Sequence, residues 1–290
     1  MPEEPQILQP GSKFGQHRVE LLLGRGGMGA VYEVEHELTE KRYALKLLNH
    51  EMMEVPGVLE LFRKEAKVMA HLKHSGIVGV DSIGEDEGYH WLRMELMEGR
   101  VVNDRKVITL EDYVEAKGGR LPEKEVKRFL QEMLDALDYA HEKGLVHRDL
   151  KPANILLSKQ SLKISDFGLV SAAGADWMET QVRSTIASPE KEETLIDSEG
   201  GGSRHHALMG TYAFMSPEQK KGRPADKRSD LYAIGLMIFR MLTGRDQPGF
   251  KSASKMVQGL TSQWDVWLEQ AMEEKPGDRF ASAKDMRKSL

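Results

Sequence analysis

The chain has 290 residues, 40% hydrophobic and 30% charged, with a net charge of −5 and no cysteine. Such a composition belongs to a soluble globular protein, large enough for one big domain or two lobes, and its mild acidity argues against a nucleic-acid-binding surface. The lack of cysteine excludes disulfides and thiolate zinc sites and fits a reducing cytoplasm. No apolar run approaches the roughly 20 residues that cross a bilayer, and Met1-Pro2-Glu3-Glu4-Pro5 lacks the basic start and apolar core of a signal peptide. A complete small protein and one domain of a longer chain, such as the cytoplasmic part of a membrane-anchored protein, both fit.

Residues 1–12, with Pro2, Pro5 and Pro10, read as a disordered lead-in. Val19–Leu23, Ala30–His36 and Arg42–Leu48 read as strands. Val58, Leu61, Phe62, Glu65, Ala66, Met69 and Leu72 recur at spacings of three and four, which predicts an amphipathic helix. Ile77–Ile83 and Tyr89–Leu96 read as two more strands, and Arg100–Ile108 as an insertion without an assigned role. From there the pattern turns helical. Glu123–Lys143 has one apolar face, with Pro122 suited to its first turn and Gly144 to its stop. Asp226–Leu242, Trp264–Met272 and Ser282–Leu290 are further helices, whereas Ser171–Met209 reads as a mobile loop.

Three stretches carry chemistry. Gly24-Arg25-Gly26-Gly27-Met28-Gly29-Ala30-Val31 fits G-x-G-x-x-G-x-V, in which missing side chains let a turn lie close over phosphates. A dinucleotide site shares those glycines but opens a helix; here the strand-like Ala30–Val34 follows. Tyr43-Ala44-Leu45-Lys46 places a lysine in an apolar strand, which is costly unless its ammonium finds partners. His147-Arg148-Asp149-Leu150-Lys151-Pro152-Ala153-Asn154, with Asp166-Phe167-Gly168 close behind, matches H-R-D-L-x-x-x-N and D-F-G. A lone Asp or Asn in a turn is usually a cap, but two such motifs rarely coincide in this order by chance.

On these residues the chain resembles the eukaryotic-type (Hanks-type) serine/threonine protein kinases, and Gly26-Gly27-Met28-Gly29, Lys151-Pro152-Ala153-Asn154 and Ser216-Pro217-Glu218-Gln219 look most like the bacterial members. The resemblance covers nearly the whole chain. It implies an α+β, bilobal kinase fold over 13–290, with a small β-rich N-lobe carrying one helix (13–97), a larger helical C-lobe (98–290) and an activation segment at 166–218. It implies ATP and Mg²⁺ as cofactors. The glycine-rich stretch (Gly24, Arg25, Gly26, Gly27, Met28, Gly29, Val31), Ala44, Lys46, and Met94, Glu95 and Met97 of the hinge would hold the nucleotide. Asn154 and Asp166 would hold the metal. Asp149 would be the base, Lys151 would neutralise the transferred phosphoryl group, and Lys46 would pair with a helical glutamate, Glu65 rather than Glu60.

Further roles come with the resemblance. Glu218 would pair with a buried Arg279, and Asp230 would brace the catalytic loop, capping its own helix being a compatible role. Arg148 would dock a phosphate on the loop, for which Thr180, Ser184, Thr185, Ser188, Thr194, Ser198 and Ser203 are candidates. The partners implied are protein substrates, and a second copy for mutual phosphorylation. A pseudokinase scaffold is the competing reading, against which every catalytic group is present. A small-molecule kinase fits Ser216-Pro217-Glu218 less well, and a dehydrogenase lacks the alternating strand–helix pattern. His74-Ser75-Gly76-Ile77-Val78, a short stretch after Thr243-Gly244 and a long Asp166–Glu218 segment depart from the family's habit.

Overall fold

The computed structural model describes residues 8–26, 29–49, 53–167 and 212–290. Gly27, Met28, the seven candidate phosphorylation sites and Gly168 lie outside these, as do the side chains of Gly26, Leu61, Lys64 and Glu65. The backbone divides into two units. The first runs to Lys73 and adds Val78–Met97; the second takes His74–Ile77, resumes at Glu98 and runs to Leu290.

Six antiparallel strands make the first unit: β1 (Lys13–Phe14), β2 (His17–Gly26), β3 (Gly29–His36), β4 (Arg42–Leu48), β5 (Val80–Asp86) and β6 (Tyr89–Glu95), in the order β1-β2-β3-β4-β6-β5. Alternation along β3 turns Tyr32 and Val34 inward, where they join Phe14, Val19, Leu45 and Leu47 in one core. Helix α1 (Val58–Ala70) buries Val58, Phe62, Ala66 and Met69, one face at helical spacing, and packs on β5.

Two expectations need correction here. Residues 8–12 are not a loose lead-in: Gly11 N–H donates to Val19 O (2.7 Å), Val19 N–H donates back to Ser12 O (2.9 Å), and Leu8 packs on the core. The strand expected from Ile77 starts at Val80. Glu95 takes both backbone groups of Gly79, its N–H to Gly79 O (2.9 Å) and its Oε1 from Gly79 N–H (2.7 Å), so the ladder cannot run back through that residue. Ile77 instead bridges Ile164 in the second unit.

The second unit opens with the inserted residues, which form a hairpin, β7 (Arg100–Val102) and β8 (Arg105–Val107). Asn103 and Asp104 turn it at φ 50° and 61°, the left-handed pair that a two-residue hairpin turn requires. Arg100 bolts it down, donating from Nε to Ser158 O (2.8 Å) and stacking over Tyr113 and Phe129. Helices α2 (Leu110–Ala116) and α3 (Glu123–Glu142) follow. Pro122 is the cap of α3, extended at ψ 141°, and not part of its first turn. Gly144 ends α3 at φ 76°, with N–H bonds from Gly144 to His141 O and from Leu145 to Ala140 O.

A small hairpin, β9 (Ile155–Leu157) and β10 (Leu162–Ile164), carries the chain onward. Beyond it stand α4 (Pro217–Lys220), α5 (Lys227–Thr243), α6 (Ala253–Met256), α7 (Gln263–Ala271) and α8 (Ala283–Lys288). Helix α5 is buried along nearly its whole length, packed on by α3 and α7. No helix among the described residues is long and apolar enough to cross a membrane.

Gly29 shows how tightly β3 and β4 meet. A Cβ there would stand 1.8 Å from Leu47 O, a backbone atom that can yield only if the ladder moves. Gly29→Ala is therefore expected to cost about 1–3 kcal/mol of stability, read as a lower midpoint in urea unfolding.

Candidate active site

In the first unit, strand pairing gathers the residues expected to hold a nucleotide. Lys46 on β4 lies opposite Val31 on β3 and Leu92 on β6, and Ala44 lies opposite Met94. Ala44, Met94 and Met97 are buried, while Lys46 is half-buried. Gly24 pairs with Val31, and Arg25 with Ala30. No atom stands within 4 Å of where a Gly24 Cβ would be, so packing within its own fold does not demand this glycine. The Glu65 backbone lies in α1.

In the second unit the loop between α3 and β9 carries the acid and amide groups. Asp149 Oδ2 meets Lys151 Nζ at 3.0 Å. Asn154 closes a 3-10 turn (Pro152–Asn154), and its Nδ2 donates to Asp149 O (2.7 Å) and Asp149 Oδ2 (3.2 Å). With the amide nitrogen so engaged, Asn154 Oδ1 meets no donor among the described residues and is the atom free to face a cation. Asp166 follows β10 at φ 58°, with Ser165 Oγ 3.4 Å from its Oδ2. Hard oxygen donors on a short hairpin suit Mg²⁺, which keeps waters and needs few protein ligands.

The loop backbone is held from beneath. His147 is fully buried; its Nε2 donates to Ser165 O (2.7 Å) and its Nδ1 accepts from Asp149 N–H (3.3 Å), which fixes a neutral tautomer. Its ring lies 4.8 Å from that of buried Phe167. Asp230, near the start of α5 and 1% exposed, accepts from His147 N–H (2.9 Å), Arg148 N–H (2.8 Å) and His141 Nε2 (2.8 Å). The bracing expected of Asp230 is thus present. The cap of α5 is a different residue, Asp226, whose carboxylate accepts from Arg228 N–H in a capping box with Ser229. Arg148 sits at φ 68°, and its side chain is exposed.

Glu218 and Arg279 form the expected buried pair. Arg279 Nη1 and Nη2 donate to the two carboxylate oxygens at 2.8 and 2.7 Å, and Ser229 Oγ donates at 2.6 Å. The remaining guanidinium donors reach backbone carbonyls of Glu273, Arg228 and Glu274. Burial pushes the Glu218 carboxyl up, but the bonds from Arg279 and Ser229 outweigh it and hold the group at about 2.

Sequence reasoning did not single out His141, Ser165 or Ser229. His141 lies 89 positions from Asp230, and nothing in the spacing of the two ties them.

The sequence pattern of the Protein kinase domain family matches residues 17–285, and the chain belongs to that family. Its relatives identify it further as a kinase domain of the bacterial, Hanks type. The serine/threonine-protein kinase PrkC of Bacillus subtilis is 28% identical over 288 residues, covering 94% of this chain and 39% of PrkC. PknH of Mycobacterium tuberculosis is 30% identical over 299 residues, 98% of this chain and 42% of PknH. The chain therefore spans less than half the length of these curated relatives. The crystal structure of the Mycobacterium tuberculosis PknI kinase domain superimposes with a TM-score of 0.69 at 26% identity, covering 98% of each chain.

The depressed Glu218 carboxyl makes stability pH-dependent. Its contribution is complete above the unfolded value of about 4.5 and is lost as pH falls through about 2. Acid unfolding is expected to show a loss on the order of 3 kcal/mol across that window, absent in Glu218→Gln. Arg279→Met is expected to cost about 3–5 kcal/mol near neutral pH, because it strands a buried carboxylate; urea unfolding at several pH values measures both.

Proposed function

We propose that this domain transfers the γ-phosphoryl group of ATP to serine or threonine hydroxyls of proteins. The observation that carries the proposal is the Asp149–Lys151–Asn154 cluster, all within hydrogen-bonding reach on a loop whose backbone Asp230 holds. The relatives named as serine/threonine kinases give the same reaction class.

Each group has a task. The Asp149 carboxylate accepts the proton of the substrate hydroxyl while that oxygen forms its bond to the γ-phosphorus and the bond to the ADP oxygen breaks. Lys151, already 3.0 Å from Asp149, offsets charge on the moving phosphoryl group. By the family's pattern, Lys46 would bind the α- and β-phosphates with Glu65 as its partner, and the glycine-rich stretch would cover the phosphates. Glu95 and Met97 meet the adenine edge, with Met94 behind them. Asn154 and Asp166 hold Mg²⁺, which when bound neutralises phosphate oxygens. A protein acceptor fits the Ser216–Gln219 segment, whose capping box and buried Glu218 make a firm floor.

The exposed Arg148 is the group we assign to receive a phosphate, so the domain phosphorylates itself between residues 171 and 203, one copy acting on another. ATP as donor makes the cytoplasm the proposed location. A scaffold that binds nucleotide without transfer finds no lost catalytic group to support it.

Lys46→Met, Asp149→Asn and Asp166→Asn are each expected to lower transfer of labelled γ-phosphate at least ~100-fold while melting like the parent. Wild-type turnover in any of them would remove that residue from its role. Intact mass after incubation with Mg-ATP is expected to show added phosphate on the parent and none on Asp149→Asn.

A further inference from the structure

Three consecutive peptide units of the catalytic loop are held by side chains from outside it. The N–H groups of His147 and Arg148 are held by Asp230. The third tie is made by Gln219, at the end of Ser216-Pro217-Glu218-Gln219: its Nε2 donates to Arg148 O at 2.7 Å, across 71 positions of sequence. That carbonyl belongs to the peptide plane shared with Asp149 N–H, so its direction sets the direction from which Asp149 departs.

The roles of the two amide ends of Gln219 are fixed by their partners. Its Oε1 faces the Ser216 N–H (3.1 Å) and the Ser216 hydroxyl (2.9 Å), and a backbone N–H can only donate. Its Nε2 faces a backbone carbonyl, which can only accept. The oxygen therefore serves the capping box of α4, and the nitrogen serves the loop. A helix cap needs only the oxygen, so the second contact calls for a second explanation.

Arg148 supplies it. At φ 68° it occupies a conformation that costs a non-glycine residue about 1–3 kcal/mol and persists only where the surroundings over-determine it. Asp230 fixes the amino side of Arg148 and leaves its carbonyl side free to rotate. The other hydrogen bond at that joint, Asp149 N–H to His147 Nδ1, is long at 3.3 Å. From this we infer that Gln219 is a positioning residue: by holding the Arg148 carbonyl, it aims the Asp149 carboxylate. The inference rests on Asp149 being the base, as proposed above.

Two variants separate the two ends of the amide. Gln219→Glu keeps an oxygen for Ser216 and replaces the donor with an acceptor facing Arg148 O; Gln219→Met keeps the length and removes both. Steady-state transfer to a protein acceptor is expected to show kcat reduced at least tenfold in both, with KM for ATP within twofold of the parent. Gln219→Glu is expected to melt close to the parent, since the cap survives. A role limited to capping predicts parental kcat in Gln219→Glu, and that result would overturn the inference. If Gln219→Met does not fold, kcat of Gln219→Glu decides; if Gln219→Glu does not fold, parental kcat in Gln219→Met overturns the inference. Amide hydrogen exchange across residues 147–150 of the nucleotide-free protein supplies a readout independent of turnover. Faster exchange there in Gln219→Glu supports the tether, and parental exchange refutes it. A parent that transfers no phosphate would count against the kinase reading, while the exchange result would still decide the tether.

Discussion

The carboxylate of Asp230 is the point on which the second unit turns. It is 1% exposed and accepts three N–H donors: two from the catalytic loop and one from His141 on α3. A buried charge is tolerated only when its hydrogen-bonding capacity is filled. The helix can therefore be buried with this residue only if the loop presents its amides at that place. The requirement runs both ways, because the loop's left-handed Arg148 is stable only while something grips its N–H. One ionic group thus couples helix α5, helix α3 and the strained turn that carries Asp149.

The neighbouring polar contacts extend this logic toward Asn154 and Asp166, the residues proposed to hold the metal. His147 donates from Nε2–H to Ser165 O, while the Ser165 N–H and hydroxyl both reach Asn154 O, at 2.9 and 3.1 Å. Asn154 returns to Asp149 through its side-chain amide. The acid, the amide and the residue before Asp166 are therefore linked by a continuous chain of hydrogen bonds. Such a network loses little on reaction, since its dipoles are already oriented.

Much of this was legible in the sequence because it depended on period and local chemistry. The alternation that makes β3 and β4, the face of α1 and the glycine stop of α3 are all local, and their bounds moved by a residue or two at most. The pairing of Glu218 with Arg279 was legible only through resemblance, since they stand 61 positions apart. What escaped were contacts that tertiary structure alone creates: His141 on Asp230, Ser229 on Glu218, and the capture of Gly79 by Glu95, which moved the start of a strand from Ile77 to Val80. The 100–108 insertion is a different case. Its Asn103-Asp104 pair carried a hairpin signal, but flanking strands of three residues are too short to show an alternating pattern.

The short helix α4 explains why its residues come in the order they do. Successive positions on a helix point about 100° apart, so adjacent side chains leave one turn in different directions. Glu218 leaves inward, to Arg279 and Ser229, and Gln219 leaves sideways, to Ser216 and Arg148. Ser216 and Pro217 fix where that turn begins, since Pro217 occupies a first-turn position where its missing N–H costs nothing and Ser216 fills the cap. Shifting the start by one residue in either direction would turn the Glu218 carboxylate away from Arg279 and leave a buried charge unpaired. A four-residue stretch thereby joins the buried Glu218–Arg279 pair to the loop that carries the proposed base.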